Sequence, residues 1–296
     1  MSLTTMVDSN PPAYCVDKEL PTYRQVFGNP GWNFVIRNSV TGTGFNIFLS
    51  KNAYFQFLQI NKYNETEDSR DMQIQGVGIP MFRVTGSLSA INIKPLIFKK
   101  YVANKHRPFN AHKDYYQFCA VKKKSHVFYA SYVFKFTPDI EDPSQDFQVV
   151  MFNHSSLPIS DYVYKEEKHR WIQEDTNQKY QYRHTILDSG QESLTDGWDG
   201  QSDKLKRTWK SPLFSSNSSF GSTFPRKQII PTGEFYGSNC SSILNMTSVN
   251  TVSGYAELKS RDEHEEYLRD YQEISEVPLD HLVQICIATV LKTEKV

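Results

Sequence analysis

Short runs of alternating apolar and polar residues dominate the chain between residues 31 and 187. The first run, Trp32–Arg37, places a large apolar residue at every second position, and residues 41–44 (Thr-Gly-Thr-Gly) separate it from the next run, Phe45–Leu49. Alternation with a period of two indicates strands with one buried face, and turn residues between two such runs indicate a hairpin. The domain is therefore predicted to open with a β-hairpin.

The same pattern recurs further along the chain, and no segment of comparable strength has the helical period. Parallel βαβ units are therefore disfavoured, and the runs predict a mainly β, antiparallel sandwich or barrel. The further runs predicted to be strands are Tyr54–Ile60, Met81–Thr85, Leu96–Val102, Tyr115–Val121, Val127–Phe136, Phe147–Phe152, Tyr180–Leu187, Ile243–Val249 and Gly254–Leu258.

The C-terminal segment Leu279–Leu291 has apolar residues around the whole helical circumference, and Pro278 stands where a helix tolerates proline. A helix that is apolar on every side must be enclosed. At about 13 to 15 residues it is shorter than the roughly 20 needed to span a bilayer. The segment is therefore predicted to be a helix enclosed by the protein's own sheet.

Two segments depart from the strand pattern. Residues 1–25 have few apolar groups and contain three prolines, which predicts a disordered tail, and residues 26–296 are assigned to one β domain. Within that domain, Ser, Gly, Asp and Asn dominate residues 188–228, which predicts a disordered loop insertion. Residues 1–10 have neither a basic region nor an apolar stretch of the kind that signal peptides have. The expected location is the cytoplasm, with the nucleus as the alternative, and the four scattered cysteines are expected to be free thiols.

The net charge of zero hides an uneven charge distribution. Residues 83–135 contain eleven Lys or Arg and one acidic residue, whereas residues 257–276 contain three basic and eight acidic residues. Clustered ammonium groups attract phosphates, so this region is a candidate site for anionic membrane lipid. A solvated face, or a face that pairs with the acidic segment or with a protein, is the alternative, and nucleic acid is the less favoured ligand. The candidate lipid-binding residues are Lys99, Lys100, Lys122, Lys123 and Lys124.

The predicted tail contains two short motifs of Pro and Tyr. One is a PPxY sequence, and the other is an LPxY variant that follows it closely. Proline sets the extended polyproline II backbone that WW domains bind, and the tyrosine fills a second pocket. The expected partner is a WW-domain protein, in particular a HECT-type ubiquitin ligase. The binding residues would be Pro11, Pro12, Tyr14, Leu20, Pro21 and Tyr23.

Motifs of catalysis are missing from the sequence. It has no GxSxG, P-loop or HExxH pattern, and no Cys/His spacing of the kind that zinc sites use. His154, His169 and His184 have no further ligand at metal-binding spacing, so they are interpreted as hydrogen-bonded or exposed histidines rather than as a metal site. No catalytic residue, metal site or cofactor is therefore assigned. The sequence favours a binding protein, and an enzyme with an unrecognised site remains the more distant alternative.

The two ends of the predicted domain carry a resemblance. Trp32–Arg37 with Thr41, Gly42 and Phe45 at the start, and Val277–Leu291 at the end, resemble the tubby C-terminal-like superfamily, which includes tubby domains, LURP-one-related proteins and phospholipid scramblases. The resemblance implies a closed antiparallel barrel of about twelve strands that encloses the C-terminal helix. It also implies binding of phosphoinositide headgroups, although the basic residues of tubby domains do not align one by one with this chain.

Overall fold

The fold is mainly β and antiparallel, which confirms the class predicted from the alternating runs. The structure is a computed structural model, and it describes residues 32–38, 44–62, 76–88, 95–102, 110, 113–176, 179–188, 190–206, 233–237, 241–246 and 274–294. Within these residues the strands are β1 (Trp32–Asn38), β2 (Phe45–Phe48), β3 (Phe82–Thr85), β4 (Leu96–Tyr101), β5 (Tyr115–Ser125), β6 (Tyr129–Phe136), β7 (Phe147–His154), β8 (Ile159–Tyr164), β9 (Glu167–Thr176), β10 (Lys179–Ile186), β11 (Gly233–Gly237) and β12 (Ser241–Met246).

Each strand pairs with its neighbours in the chain, and every pairing is antiparallel. The hydrogen-bonded order is β1-β12-β11-β10-β9-β8-β7-β6-β5-β4-β3-β2, and β1 is paired with both β12 and β2. Hairpin connections produce this order directly, because a short turn returns the chain beside the strand it has just left.

The main hydrophobic core lies between the sheet and helix α2 (Leu279–Thr293), which confirms the predicted C-terminal helix. All residues from His281 to Lys292 are buried. Asp280 in the first turn and Lys292 in the last turn complement the helix dipole. Phe34 and Leu244 belong to the same core as α2, so the first and last strands of the sheet both contribute to the packing around the helix. No helix of the described residues is long and apolar enough to cross a membrane.

The predicted strand Tyr54–Ile60 is wrong, because these residues belong to helix α1 (Lys51–Lys62). Ala53, Gln56 and Ile60 are buried at helical spacing, and Tyr54 and Phe57 pack against Val35 and Phe48 on the outer face of β1 and β2. The aromatic residues of this short segment give it a composition typical of strands, which explains the wrong prediction. The spacing of the buried positions is nevertheless that of one helix face.

Part of the predicted loop 188–228 is ordered, in contrast to the sequence prediction for that part. Residues 190–206, called the strap below, contain a short 3-10 helix, Leu194–Gly197, and a β-bridge between Trp198 and Leu205. The strap covers an outer cluster that includes Val150 and Phe152 of β7. Leu194 and Leu205 of the strap belong to this cluster. Residues 207–228, like residues 1–25, lie outside the described residues.

A buried ion pair anchors the strap. Nε and Nη2 of Arg170 on β9 donate to the two carboxylate oxygens of Asp161 on β8, each at 2.7 Å. The same carboxylate accepts hydrogen bonds from the Ser193 hydroxyl at 3.1 Å and from the Leu194 N–H at 2.8 Å. Both charged side chains are almost fully buried, and both are hydrogen-bonded on several sides, as buried charges require.

Candidate functional site

Three adjacent strands carry a strong excess of positive charge. β4, β5 and β6 contain six lysines and no aspartate or glutamate, and they are paired side by side. Successive side chains of a strand point to opposite faces of a sheet, so the register decides which lysines share a face. The six are Lys99 and Lys100 in β4, Lys122, Lys123 and Lys124 in β5, and Lys135 in β6.

Three of these lysines surround Ala120 on the outer face. Ala120 is the register partner of Ile97 on β4 and of Lys135 on β6. Lys122 lies two residues from Ala120 on the same face of β5. Lys99 follows a β-bulge and is paired with Gln117, on the other side of Ala120 along the sheet, and its exposure places it on the same outer face. Lys99, Lys122 and Lys135 are all exposed, and none forms an ion pair with another described residue. We call these three residues the outer lysine cluster.

The spacing of the cluster suits an anionic group. Directly opposite side chains in a sheet have Cβ atoms about 5 Å apart, and diagonal neighbours about 7–8 Å apart. Lys122 and Lys135 are diagonal neighbours and can therefore approach the same anion beside the small side chain of Ala120, and Lys99 adds positive charge on the other side of Ala120 along the sheet. The combined positive charge of the three lysines attracts an anion from a distance. A bound anion also reduces the electrostatic repulsion among the lysines. The arrangement can hold an anionic group electrostatically.

The remaining predicted lysines have other surroundings. The ammonium of Lys100 lies 5.9 Å from the ring centroid of Phe118, and burial lowers the pKa of this lysine. Lys123 donates to the Glu294 carboxylate at 2.6 Å, where α2 ends. Lys124 is on the outer face and forms an ion pair with Asp203 of the strap. The register thus places Lys99 and Lys122 in one exposed cluster and gives Lys100, Lys123 and Lys124 separate contacts.

Sequence reasoning missed the third member of the cluster, Lys135. Phe134 and Phe136 on either side of it are buried, whereas Lys135 is exposed. This alternation is visible in the sequence and places Lys135 on the outer face of β6. Its position opposite Ala120 is not visible there, because it depends on the pairing register of two strands.

A second polar cluster lies inside the sheet, against α2. The Tyr162 hydroxyl is 2.8 Å from Nε2 of His184 and 2.8 Å from Oε1 of Gln284. Nδ1 of His169 is 3.3 Å from Nε2 of His184. Burial lowers the pKa of His169 to about 4 and the pKa of His184 well below its ordinary value. Both histidines are therefore neutral at pH 7.

This inner cluster has the properties of a structural network. His169 and His184 are 5% and 2% exposed, so solvent and solutes have little access to them. Their hydrogen bonds connect β8, β9 and β10 to Gln284 of α2. Among the described residues, no group of three or more His, Cys, Asp or Glu side chains is arranged to hold a metal ion. The exposed outer lysine cluster is consequently the stronger candidate for a binding site.

The residues predicted to bind WW domains, Pro11 to Tyr14 and Leu20 to Tyr23, lie outside the described residues. Two of the predicted free thiols, Cys119 and Cys286, are buried and unpaired by disulfides, as expected. The other two cysteines lie outside the described residues.

The fold and the outer lysine cluster define a mainly β protein with a buried C-terminal helix and a cationic outer sheet face. The model of the DIA1 family matches residues 29–295, and the chain belongs to that family. The match begins after both Pro/Tyr motifs. No curated protein and no solved structure matches the chain.

Proposed function

We propose that this protein is a non-enzymatic binding and adaptor protein that holds anionic phospholipid headgroups on the outer face of β4–β6. The observation that carries the proposal is the exposed cluster of Lys99, Lys122 and Lys135 on strands with no acidic residue. Each lysine close to an anionic membrane contributes about 1 kcal/mol of attraction. In this function the protein is cytoplasmic and peripheral at membranes.

We further propose that the pairings form a closed barrel of the tubby C-terminal-like type around α2. Support comes from β1, which is paired with both β2 and β12, and from the burial of every residue of α2 from His281 to Lys292. An enclosed helix keeps the sheet rigid. A rigid sheet holds the three lysines at fixed spacing, which reduces the entropy lost when an anion binds.

Vesicle flotation tests the lipid proposal. The full chain should float with phosphatidylcholine vesicles that contain phosphatidylserine or a phosphoinositide, and added salt should weaken the binding. The triple variant Lys99→Gln, Lys122→Gln, Lys135→Gln should bind about 100-fold more weakly, because it loses about 1 kcal/mol at each of three sites.

A matched control replaces three exposed lysines elsewhere, Lys51, Lys113 and Lys204, with Gln. It changes the net charge equally and should retain binding. If wild-type protein binds no anionic vesicle, or if both triple variants lose affinity equally, the outer lysine cluster is not a lipid site. A protein scaffold without lipid binding is then the better description.

We also propose that residues 1–25 connect the domain to a WW-domain ubiquitin ligase of the HECT class. Support comes from the PPxY motif, which contains Tyr14, and from the LPxY motif, which contains Tyr23. Two weak motifs nine residues apart can engage a tandem WW module with a high effective concentration. The adaptor would thereby bring ubiquitin ligase activity to the membrane that the domain binds.

A pull-down with a tandem WW module tests this partner. Wild-type chain should be retained, and the double variant Tyr14→Ala, Tyr23→Ala should be lost, because each tyrosine fills a pocket beside the proline groove. The control variant Ala13→Ser, Thr22→Ser changes only the variable positions of the motifs and should be retained. Equal retention of all three proteins would refute the proposal.

A further inference from the structure

The turn between β5 and β6 is built from two large apolar residues. The His126 N–H donates to the Tyr129 carbonyl at 2.8 Å, which closes a hairpin with Val127 and Phe128 at its tip. Val127 is 83% exposed and Phe128 is 43% exposed. Two-residue hairpin turns ordinarily carry Gly, Asn or Asp at these positions, because the favoured turn types need positive φ.

The β8–β9 hairpin of the same protein has the usual kind of two-residue turn. Its two tip residues, Lys165 and Glu166, are polar, and their φ angles are 50° and 65°. Val127 and Phe128 are not among the described non-glycine residues with positive φ. The β5–β6 turn thus lacks both the favoured backbone geometry and the polar side chains that hairpin tips usually carry. Departures of this kind from local rules are expected where a residue serves a function.

The tip is also held rigidly. The Phe128 carbonyl accepts a hydrogen bond from the Ser155 N–H at 2.9 Å, which fixes the tip against the neighbouring β7–β8 connection. The His126 ring stacks on Tyr129 with centroids 4.4 Å apart, and its Nε2 lies 3.1 Å from the Ser131 hydroxyl oxygen. A tip fixed in this way presents its apolar side chains without an ordering cost at binding.

Lysines of β5 lie behind the tip. Lys122 and Lys124 lie on the outer face of β5, five and three residues before Val127, which corresponds to about 16 and 10 Å along a strand. Lys124 is paired with Asp203 and Lys123 with Glu294, so Lys122 is the lysine of β5 that has no carboxylate partner among the described residues. An apolar tip flanked by lysines complements a lipid surface, whose anionic headgroups cover an apolar interior.

We propose that the β5–β6 turn inserts Val127 and Phe128 into the interfacial layer of an anionic membrane, while the lysines of β5 contact the headgroups. This inference rests on the proposed lipid function and deepens it, since it names the element that enters the bilayer. Insertion of about 5–10 Å is typical of interfacial segments, and it brings Lys124 to the level of the phosphates.

Vesicle binding by the full chain tests the insertion. The double variant Val127→Asn, Phe128→Gly removes the apolar tip and introduces a sequence that favours hairpin turns, so the sheet should fold normally. Its affinity for vesicles of phosphatidylcholine and a phosphoinositide should fall about tenfold or more, because burial of these side chains in lipid is lost. Its affinity for soluble inositol trisphosphate should be unchanged, because the outer lysine cluster is intact.

Ile140 provides a matched control. It is 65% exposed, and it follows the end of β6 opposite to the tip. The variant Ile140→Asn should bind vesicles like wild type. A second measurement uses Phe128→Trp, whose emission should be quenched by lipids brominated near the headgroup end of the acyl chain, beyond any quenching of the wild-type tryptophans.

The outcomes separate the two proposals. If the tip variant binds vesicles as tightly as wild type, or if Phe128→Trp adds no quenching, insertion is refuted, although the lysine variant can still establish lipid binding. If wild-type protein binds no anionic vesicle, the proposed function itself fails. If the tip variant instead abolishes self-association measured by sedimentation, the tip contacts a second copy of the chain, and the membrane inference is overturned.

Discussion

The hydroxyl of Tyr162 on β8 donates to the side-chain carbonyl of Gln284 on α2 at 2.8 Å, deep inside the sheet. Nε2 of His184 lies 2.8 Å from the same hydroxyl. Gln284 is a buried polar residue of α2, and these contacts supply it with hydrogen-bond partners. The pair therefore fixes the rotation and depth of α2 relative to β8, in addition to the nonspecific hydrophobic packing.

Replacement of Tyr162 with Phe should destabilise the protein. The substitution removes the hydroxyl that is hydrogen-bonded to both Gln284 and His184, and these two side chains remain buried. An unsatisfied buried polar group costs about 1–3 kcal/mol of stability. Urea unfolding followed by circular dichroism measures the loss. The double variant Tyr162→Phe, Gln284→Leu should lose less than the sum of the two single variants, because removal of both partners leaves fewer unpaired groups. Additive losses would show that the hydrogen bond contributes nothing.

The burial of α2 leads to a second prediction. Ile285 and Ile287 are both 0% exposed. The double variant Ile285→Asp, Ile287→Asp should fail to fold, because two carboxylates without partners cannot be accommodated in the core. Circular dichroism and sensitivity to protease should report a largely unfolded chain. The conservative variant Ile285→Val should fold and lose only about 0.5–1.5 kcal/mol. A folded double-Asp variant would mean that α2 can leave the sheet.

The inner histidines predict a loss of stability in acid. The pKa of His169 is lowered to about 4 by burial, whereas an unfolded chain has a histidine pKa of about 6.5. The unfolded state therefore binds more protons below pH 6.5. The stabilisation is complete above pH 6.5 and is lost progressively as the pH falls from 6.5 towards 4.

Urea midpoints measured between pH 7.5 and about 4 test this dependence. His169 alone should account for a fall in unfolding free energy of about 3 kcal/mol. His184, whose pKa is also lowered by burial, should steepen the decline. The variant His184→Gln should show a shallower pH dependence than wild type.

The sequence predicted the larger features because they depend on local pattern alone. Alternation located β1 and β2, and apolar residues around the circumference located α2. Strands β8 and β9 were missed because Asp161 and Arg170 are buried charges at positions where the pattern requires apolar residues. The strap was missed for the same reason, since the Asp161 carboxylate binds its backbone and its polar side chains.

The candidate site could be predicted only in part. The sequence indicates an excess of lysine in β4–β6, but the position of Lys135 opposite Ala120 depends on strand register. Lys123 was included because it stands between two other lysines, yet alternation turns it towards Glu294 at the end of α2. The contacts of Lys124 and Lys123 join residues that are far apart in the chain, and no local pattern encodes them.

The anchor of the strap gives the last prediction. Replacement of Asp161 with Ala should cost about 3–5 kcal/mol, because the Arg170 guanidinium remains buried without its carboxylate. Asp161 also binds Ser193 and Leu194, so its loss should release the strap before the sheet unfolds. Limited proteolysis followed by mass spectrometry should then show cuts within residues 190–206 that the wild-type protein lacks.

The double variant Asp161→Ala, Arg170→Met separates the two effects. It removes the uncompensated charge and should recover part of the stability, but it cannot restore the hydrogen bonds to the strap. Cleavage within residues 190–206 that is faster than in the wild-type protein is the expected result. If the double variant resists cleavage like wild type, the apolar contacts of Leu194 and Leu205 hold the strap without the carboxylate. Because the strap also carries Asp203, which neutralises Lys124, its release should increase the positive charge of the outer face and strengthen binding to anionic vesicles.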